Sequence, residues 1–525
     1  MSGMKTLFYG GTIRTLASPQ TAEALLAADG VIRAVGSRAE LETPGCRRVD
    51  LAGRTLLPAF LDGHSHLSQT ASALLQADLR GAKSAEEMGR RIRAFLAAQT
   101  LGAEEWAMAS GAEFGALPAP LTLAELDAWV PERPLAVQST AGHAGYLNSR
   151  GLAALGLTPQ TPDPQGGVIG RSGGRLTGYL EETAWMENMR QIPPPGPERL
   201  LPAFDRAQAL YASHGITLVQ EGMLVEQMLP LYQMLLARGA LWLDTVGYAT
   251  PDALPGFART FPDSVGRFDR HFCLGGVKIF LDGSPQGRTA WMRAPYEGEA
   301  EYRGYGTLSD AAVLAALETA ARGGWQLLAH CNGDAAAEQF LRCLEQTERR
   351  FPQLRELRPV LIHGQLLGVD QLDAVKRLGV IPSFFAAHIC HWGDVHVRNF
   401  GLSRAAHISP AGSALRRGIR FTFHQDTPVL PPDMPETLWC AVNRRTESGR
   451  VLGAEERIPP EAALRAVTEN TACQYGLEGR RGVLVPGAAA DFTVLDRDPL
   501  AVPPEELRDL RVEETYCASR RVWPR

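Results

Sequence analysis

Residues 308–363 read LSDAAVLAALETAARGGWQLLAHCNGDAAAEQFLRCLEQTERRFPQLRELRPVLIH, and this stretch sets the fold. Two amphipathic, helix-like segments, LSDAAVLAALETAARG and AAAEQFLRCLEQTERR, alternate with two short runs, WQLLAH and PVLIH. The runs are apolar at nearly every position, as strands covered on both faces must be. Strand, helix, strand in this order builds a parallel sheet. Each run ends in a polar residue of the same kind, His330 and His363.

Working outward, the same unit recurs on both sides. TLLPAFLDGH, GITLVQEG, LWLDTVGYAT and CLGGVKIFLDG precede it, and GVIPSFFAAH and GIRFTFHQD follow it. Eight such strands close a (β/α)8 barrel. A doubly wound open sheet is the structural alternative, but no GxGxxG or GxxxxGK[ST] motif follows a strand. Residues 68–205 interrupt the rhythm and are too long for one crossover, so they predict an inserted subdomain. The Pro-rich QIPPPGPER marks its return. Both chain ends, residues 1–57 and 482–525, alternate short β-like runs with turns and predict one composite small β-sandwich beside a barrel of residues 58–481.

The composition excludes several functions. With 53 basic against 58 acidic residues the net charge is −5, which offers no electrostatic footprint for nucleic acid or an anionic membrane. No apolar run approaches the ~20 residues of a membrane-spanning helix. The first residues, MSGMKTLFYGGTIRTL, lack the features of a signal peptide. Eight cysteines without a CxxC pair predict reduced thiols in a cytoplasmic protein. Only four of the basic residues are lysines, Lys5, Lys83, Lys278 and Lys376. A chain that otherwise uses arginine can keep lysine where a side chain must lose its proton.

The chemistry gathers at strand ends. Asp62-Gly63-His64-Ser65-His66 closes the first apolar run, and residues two apart on a strand share a face. His64 and His66 can therefore present two imidazoles together, or simply be two hydrogen-bonded loop histidines. His330, His363 and Asp426 end later strands, and in a barrel all these ends face one mouth. Imidazoles with a carboxylate suit zinc better than magnesium or calcium. Lys278 lies inside the apolar strand GGVKIFLDG, where an ammonium is costly. It either pairs with an acid such as Asp282 or, as a neutral amine, adds CO₂ to become a carbamate able to bridge two metals.

LLPAFLDGHSH, VKIFLDGS, AHCNGDAA, LIHGQ and HQDTPV, in this order, resemble the metal motifs of the amidohydrolase superfamily. LVPGAAADFTVLDRDP is similar to its C-terminal sandwich strand. Within the insertion, GHAGYLNSRGLAALGL and GGVIGRSGGRLTGYLEETA resemble the branch containing N-substituted formamide deformylase (amidohydrolase family 3). The resemblance implies one or two zinc ions. His64 and His66 would hold one, His330 and His363 the second, and Lys278, carboxylated, would bridge them. Asp426 would bind the first metal and serve as general base, then general acid, while a metal-bound hydroxide attacks a non-peptide C–N bond: an amide, an N-formyl or N-acyl amine, or a cyclic amide or amidine. An esterase or lactonase on the same site, and a catalytically silent barrel scaffold, are the alternatives. The sequence departs from the superfamily at His424-Gln425-Asp426, where small residues usually precede the aspartate; His424 shares a face with Asp426. For the pocket, His143, Tyr146 and Asn148 of the insertion and His388 and Trp392 after the seventh strand are substrate-binding candidates, together with His424. The expected partner is a small-molecule substrate, with neither nucleic acid nor membrane, and a homodimer is the commonest closed assembly for such a chain.

Overall fold

Eight parallel strands position everything that follows. In the computed structural model, which describes residues 5–102, 105–140 and 142–525, they are β1 (Phe60–Leu61), β2 (Ile216–Leu224), β3 (Asp244–Ala249), β4 (Phe272–Phe280), β5 (Gln326–Cys331), β6 (Val360–His363), β7 (Ile381–Phe384) and β8 (Thr422–Phe423). Each is hydrogen-bonded to the next in chain order. Each coincides with one of the apolar runs of the sequence. The sheet curls until its two ends meet: a Cβ added at Gly63, just past β1, would lie 2.8 Å from the carbonyl oxygen of Phe423 in β8. Leu61, Leu218, Val246, Leu328, Val360, Ile362 and Ile381, from six of the strands, share one buried cluster. That convergence makes the interior a packed core rather than a pore.

Helices cover the outside for local reasons. Ser309 accepts a hydrogen bond from the Ala312 amide and starts the helix Asp310–Gly323, and Gly324 ends it in the left-handed conformation. The next helix, Asp334–Glu348, buries Ala336, Ala337, Phe340, Leu341 and Leu344, which recur at helical spacing. The helices His388–Ala405 and Met434–Asn443 follow β7 and β8.

Both chain ends contribute to a second, eight-stranded sheet. Thr55–Pro58 and Thr6–Arg14 lie side by side in it, flanked by Phe492–Leu495 and Val512–Cys517 on one side and Thr21–Ala28 and Val31–Gly36 on the other. Phe8, Leu25, Leu56, Phe492, Val494 and Tyr516 form its core. This sheet grips the end of the barrel opposite the histidines: Thr493 Oγ1 donates to the Gly215 carbonyl (2.7 Å), and the Arg481 guanidinium lies between Asp244 at the start of β3 and Asp491.

The chain divides into two compact units, Met1–Leu67 with Gln208–Arg525, and Ser68–Ala207. The second has its own six-stranded sheet and its own core around Ala109, Leu126, Trp129, Val137 and Tyr146. A segment of this length that buries its own apolar side chains is a folded body, not an extended loop. Among the described residues, no helix is long and apolar enough to cross a membrane.

Candidate metal centre

β1 ends at Leu61, so both histidines lie just beyond the strand, His64 on a bend and His66 in an isolated bridge to Glu221. What keeps them side by side is hydrogen bonding to neighbours, not strand pleating alone. The His66 amide donates to the Thr427 carbonyl (2.9 Å), and the Gly222 amide of β2 donates to the Ser65 carbonyl (2.8 Å). The two ring centroids are 5.0 Å apart. Asp426, from the end of β8, meets both: its Oδ1 is 3.5 Å from His64 Nε2 and 3.3 Å from His66 Nε2. Asp426 Oδ2 is 3.9 Å from His363 Nε2. Asp426 (φ 54°) and His363 (φ 73°) both adopt the left-handed conformation. That costs each residue of order 1–3 kcal/mol, a strain typical of side chains aimed for function.

Four further strand-end residues close in. Lys278 Nζ is 3.2 Å from His64 Nε2. The His330 and His363 rings are 4.6 Å apart, and His363 Nδ1 is 3.1 Å from His424 Nε2. All seven residues, His64, His66, Lys278, His330, His363, His424 and Asp426, thus reach one pocket from five strands far apart in sequence. Asp282, the acid considered as a partner for Lys278, turns elsewhere. It accepts from His330 Nδ1 (3.2 Å) and from the amides of Asn332 (2.9 Å), Gly333 (2.7 Å) and Trp291 (3.1 Å). Lys278 has no ion pair among the described residues.

The electrostatics favour a cation. Burial holds His64, His363 and His388 well below 6.5 and takes His424 down to about 3, so these imidazoles are neutral with lone pairs available. Burial also lowers Lys278 to about 7. Desolvation would raise Asp426, but the surrounding imidazoles outweigh it and hold the carboxyl well below its usual range. Asp426 Oδ1 is buried and faces the Nε2 atoms of His64 and His66. The donor set His64, His66 and Asp426, with ligand atoms within 4.8 Å of one another, therefore fits a divalent ion.

Neighbours hold the imidazoles in usable tautomers. His64 Nδ1 is 2.5 Å from Gln220 Oε1, so the ring donates there and turns Nε2 toward Asp426. His424 lies between His363 Nδ1 and Ser383 Oγ, 2.9 Å from its own Nδ1. With the His424 proton given to Ser383, its Nε2 accepts from His363 Nδ1–H and leaves the His363 Nε2 lone pair facing Asp426. The residue that departs from the superfamily pattern thus supports a neighbouring imidazole.

Gln220, Gly222, Asp282 and Ser383 were not singled out in the sequence as site residues. Gln220 and Gly222 stand at the polar end of the run GITLVQEG, the one signal that pointed to them. Of the pocket candidates, His388 packs on Phe385 (4.6 Å between rings) and on Trp392 (4.4 Å), beside His424. The three insertion residues lie in the other unit. There His143 is exposed and 3.1 Å from Glu182, and Tyr146 packs against Phe114 and Tyr179. Asn148 is fully buried, caps the helix Ser149–Ala154, and bonds to the backbone of Val130, Arg133 and Leu135.

A curled sheet of eight parallel strands with imidazoles and a carboxylate at its C-terminal rim is the plan of a metal-dependent hydrolase. Residues 47–523 match the model of the amidohydrolase family, and the chain belongs to that family. It is an enzyme, a metal-dependent amidohydrolase. It is 27% identical over 540 residues to YtcJ of Bacillus subtilis (strain 168), covering 99% of both chains. It is also 27% identical to N-substituted formamide deformylase of Arthrobacter pascens, covering 98% of both. Among solved structures, an uncharacterized metal-dependent hydrolase from Pyrococcus horikoshii OT3 superposes with a TM-score of 0.79 at 27% identity, over 95% of this chain and 99% of that one.

Proposed function

We propose that the protein hydrolyses a non-peptide carbon–nitrogen bond of a small molecule, with an N-formyl or N-acyl amine as the first class to test. One observation carries the reading: the buried Asp426 Oδ1 held 3.3 and 3.5 Å from the Nε2 atoms of His66 and His64. His64, His66 and Asp426 would hold an ion, zinc by the chemistry of its donors, and His330 and His363 a second. Such an ion supplies Lewis acidity that brings the pKa of water toward neutrality and polarises a carbonyl. The remaining work falls to the protein. Asp426 keeps 16% side-chain exposure, so it faces the opening while staying anchored. It takes the proton from the attacking water and returns it to the departing amine, as base and then as acid. Lys278, fully buried and without an ion pair among the described residues, is placed to add CO₂: its nitrogen bonds the carbon, loses a proton, and becomes an anionic carbamate beside His64. His388 and Trp392 form the pocket wall against which a substrate carbonyl would be oriented. The related deformylase supports a C–N bond as target.

The test compares wild type with Asp426→Asn on matched N-formyl amine, N-acyl amine and ester substrates, with elemental analysis per chain. The expected result is turnover of the amides, a fall of roughly 10²-fold or more in the variant, and largely retained metal. An unchanged rate removes Asp426 from the role, and turnover of the ester alone rejects the bond assignment.

A further inference from the structure

A second group of metal-competent side chains lies outside this centre, between the helices that follow β7 and β8. Cys390 and His391 occupy the first turn of His388–Ala405. Glu436 and Cys440 lie four residues apart, on one face, in Met434–Asn443. His391 Nε2 is 3.3 Å from Glu436 Oε2. Cys390 Sγ, a His391 ring nitrogen and a Glu436 carboxylate oxygen all lie within 4.8 Å of one another.

We propose that Cys390, His391 and Glu436 form a structural metal site for a zinc-class ion, separate from the catalytic centre. Sulfur, imidazole and carboxylate are the ligand types that such an ion takes in tetrahedral sites. With usual bond lengths, neighbouring ligand atoms there lie roughly 3.3–3.6 Å apart, so the side chains need to contract by about 1 Å, within the reach of side-chain rotation. Cys390 is nearly buried, whereas the His391 and Glu436 side chains keep 29% and 18% exposure. An ion can therefore enter from the imidazole–carboxylate side and end on the sulfur. The site would clamp together the two helices whose preceding segments carry Phe385 and Asp426.

The test is a cobalt(II) titration of the full chain after chelator treatment, read as the sulfur-to-cobalt charge-transfer band in the near ultraviolet. None of the catalytic ligands is sulfur. The expected result is a band that saturates with one ion per chain beyond those taken by the catalytic centre, is bleached by zinc, disappears in Cys390→Ser, and needs roughly tenfold more cobalt in His391→Ala. His391 is partly exposed, so its variant keeps the test open should Cys390→Ser fail to fold by circular dichroism. Absence of the band, its survival in Cys390→Ser, an unchanged titration in His391→Ala, or its loss in Cys331→Ala would each overturn the assignment.

Discussion

Replacing Gly222 with alanine tests whether the imidazoles are placed by the strand beside them. The new Cβ would lie 2.5 Å from His64 Cε1, 2.9 Å from His66 Cε1 and 2.9 Å from the Ser65 carbonyl oxygen. Carbon atoms in ordinary contact sit about 3.5–4.0 Å apart, so the His64 ring must retreat by about 1 Å. The strand is tied to the same segment, since the Gly222 amide donates to the Ser65 carbonyl (2.8 Å), although its pairing with β3 breaks between Glu221 and Leu224. Gly222 is not in the left-handed region, so alanine adds no backbone strain of its own. A displacement of about 1 Å at a reacting centre costs roughly 10²-fold in rate, and misorienting a ligand costs roughly 10–100-fold in metal affinity. The latter is about 1.4–2.7 kcal/mol of binding free energy. Overpacking itself adds about 1–3 kcal/mol of destabilisation, which urea unfolding would separate from the metal effect. The assay is competition for metal against a chelator of known affinity, alongside kcat on the substrate identified. A Gly222→Ala variant with wild-type metal affinity and rate would refute the reasoning.

Two further predictions concern the supports of the site and of the barrel. His424→Phe keeps an aromatic ring, slightly larger, but cannot accept from His363 Nδ1; we expect metal affinity to fall roughly 10–100-fold by isothermal titration, and an unchanged value would show that His363 is oriented without it. Arg481→Met removes the guanidinium from the nearly buried Asp491 carboxylate and leaves Asp244 with His271 alone, and urea denaturation should show a loss of about 3–5 kcal/mol. The same contacts set a pH dependence. Burial alone would raise Asp244, but His271 and Arg481 hold it below 3.8, so its contribution is present above that value and is lost as pH falls through the lower folded-state value. Thermal melting of wild type and Asp244→Asn should therefore converge only at acid pH; a pH-independent difference would exclude the linkage.

The insertion shows how far local pattern reaches. Its length alone marked residues 68–205 as a subdomain, yet nothing in GHAGYLNS distinguishes a pocket residue from a cap. Asn148 satisfies four backbone groups, and those partners lie 3–18 positions away. A histidine next to an aspartate, as in His424-Gln425-Asp426, likewise has no visible partner in one dimension. Ser383 and His363 come from neighbouring strands.

The order of apolar runs and the polar residues at their ends determined the barrel, the side of it that carries chemistry, and the histidines and aspartate gathered there. Burial on both faces of a strand and the shared direction of parallel strands are written into consecutive residues. Only the tertiary structure decided that Gln220 and Gly222 place His64, that Asp282 serves His330 rather than Lys278, and that His424 braces His363. Those relations are distances between atoms on different strands, set by sheet register and closure, and no stretch of chain contains both partners.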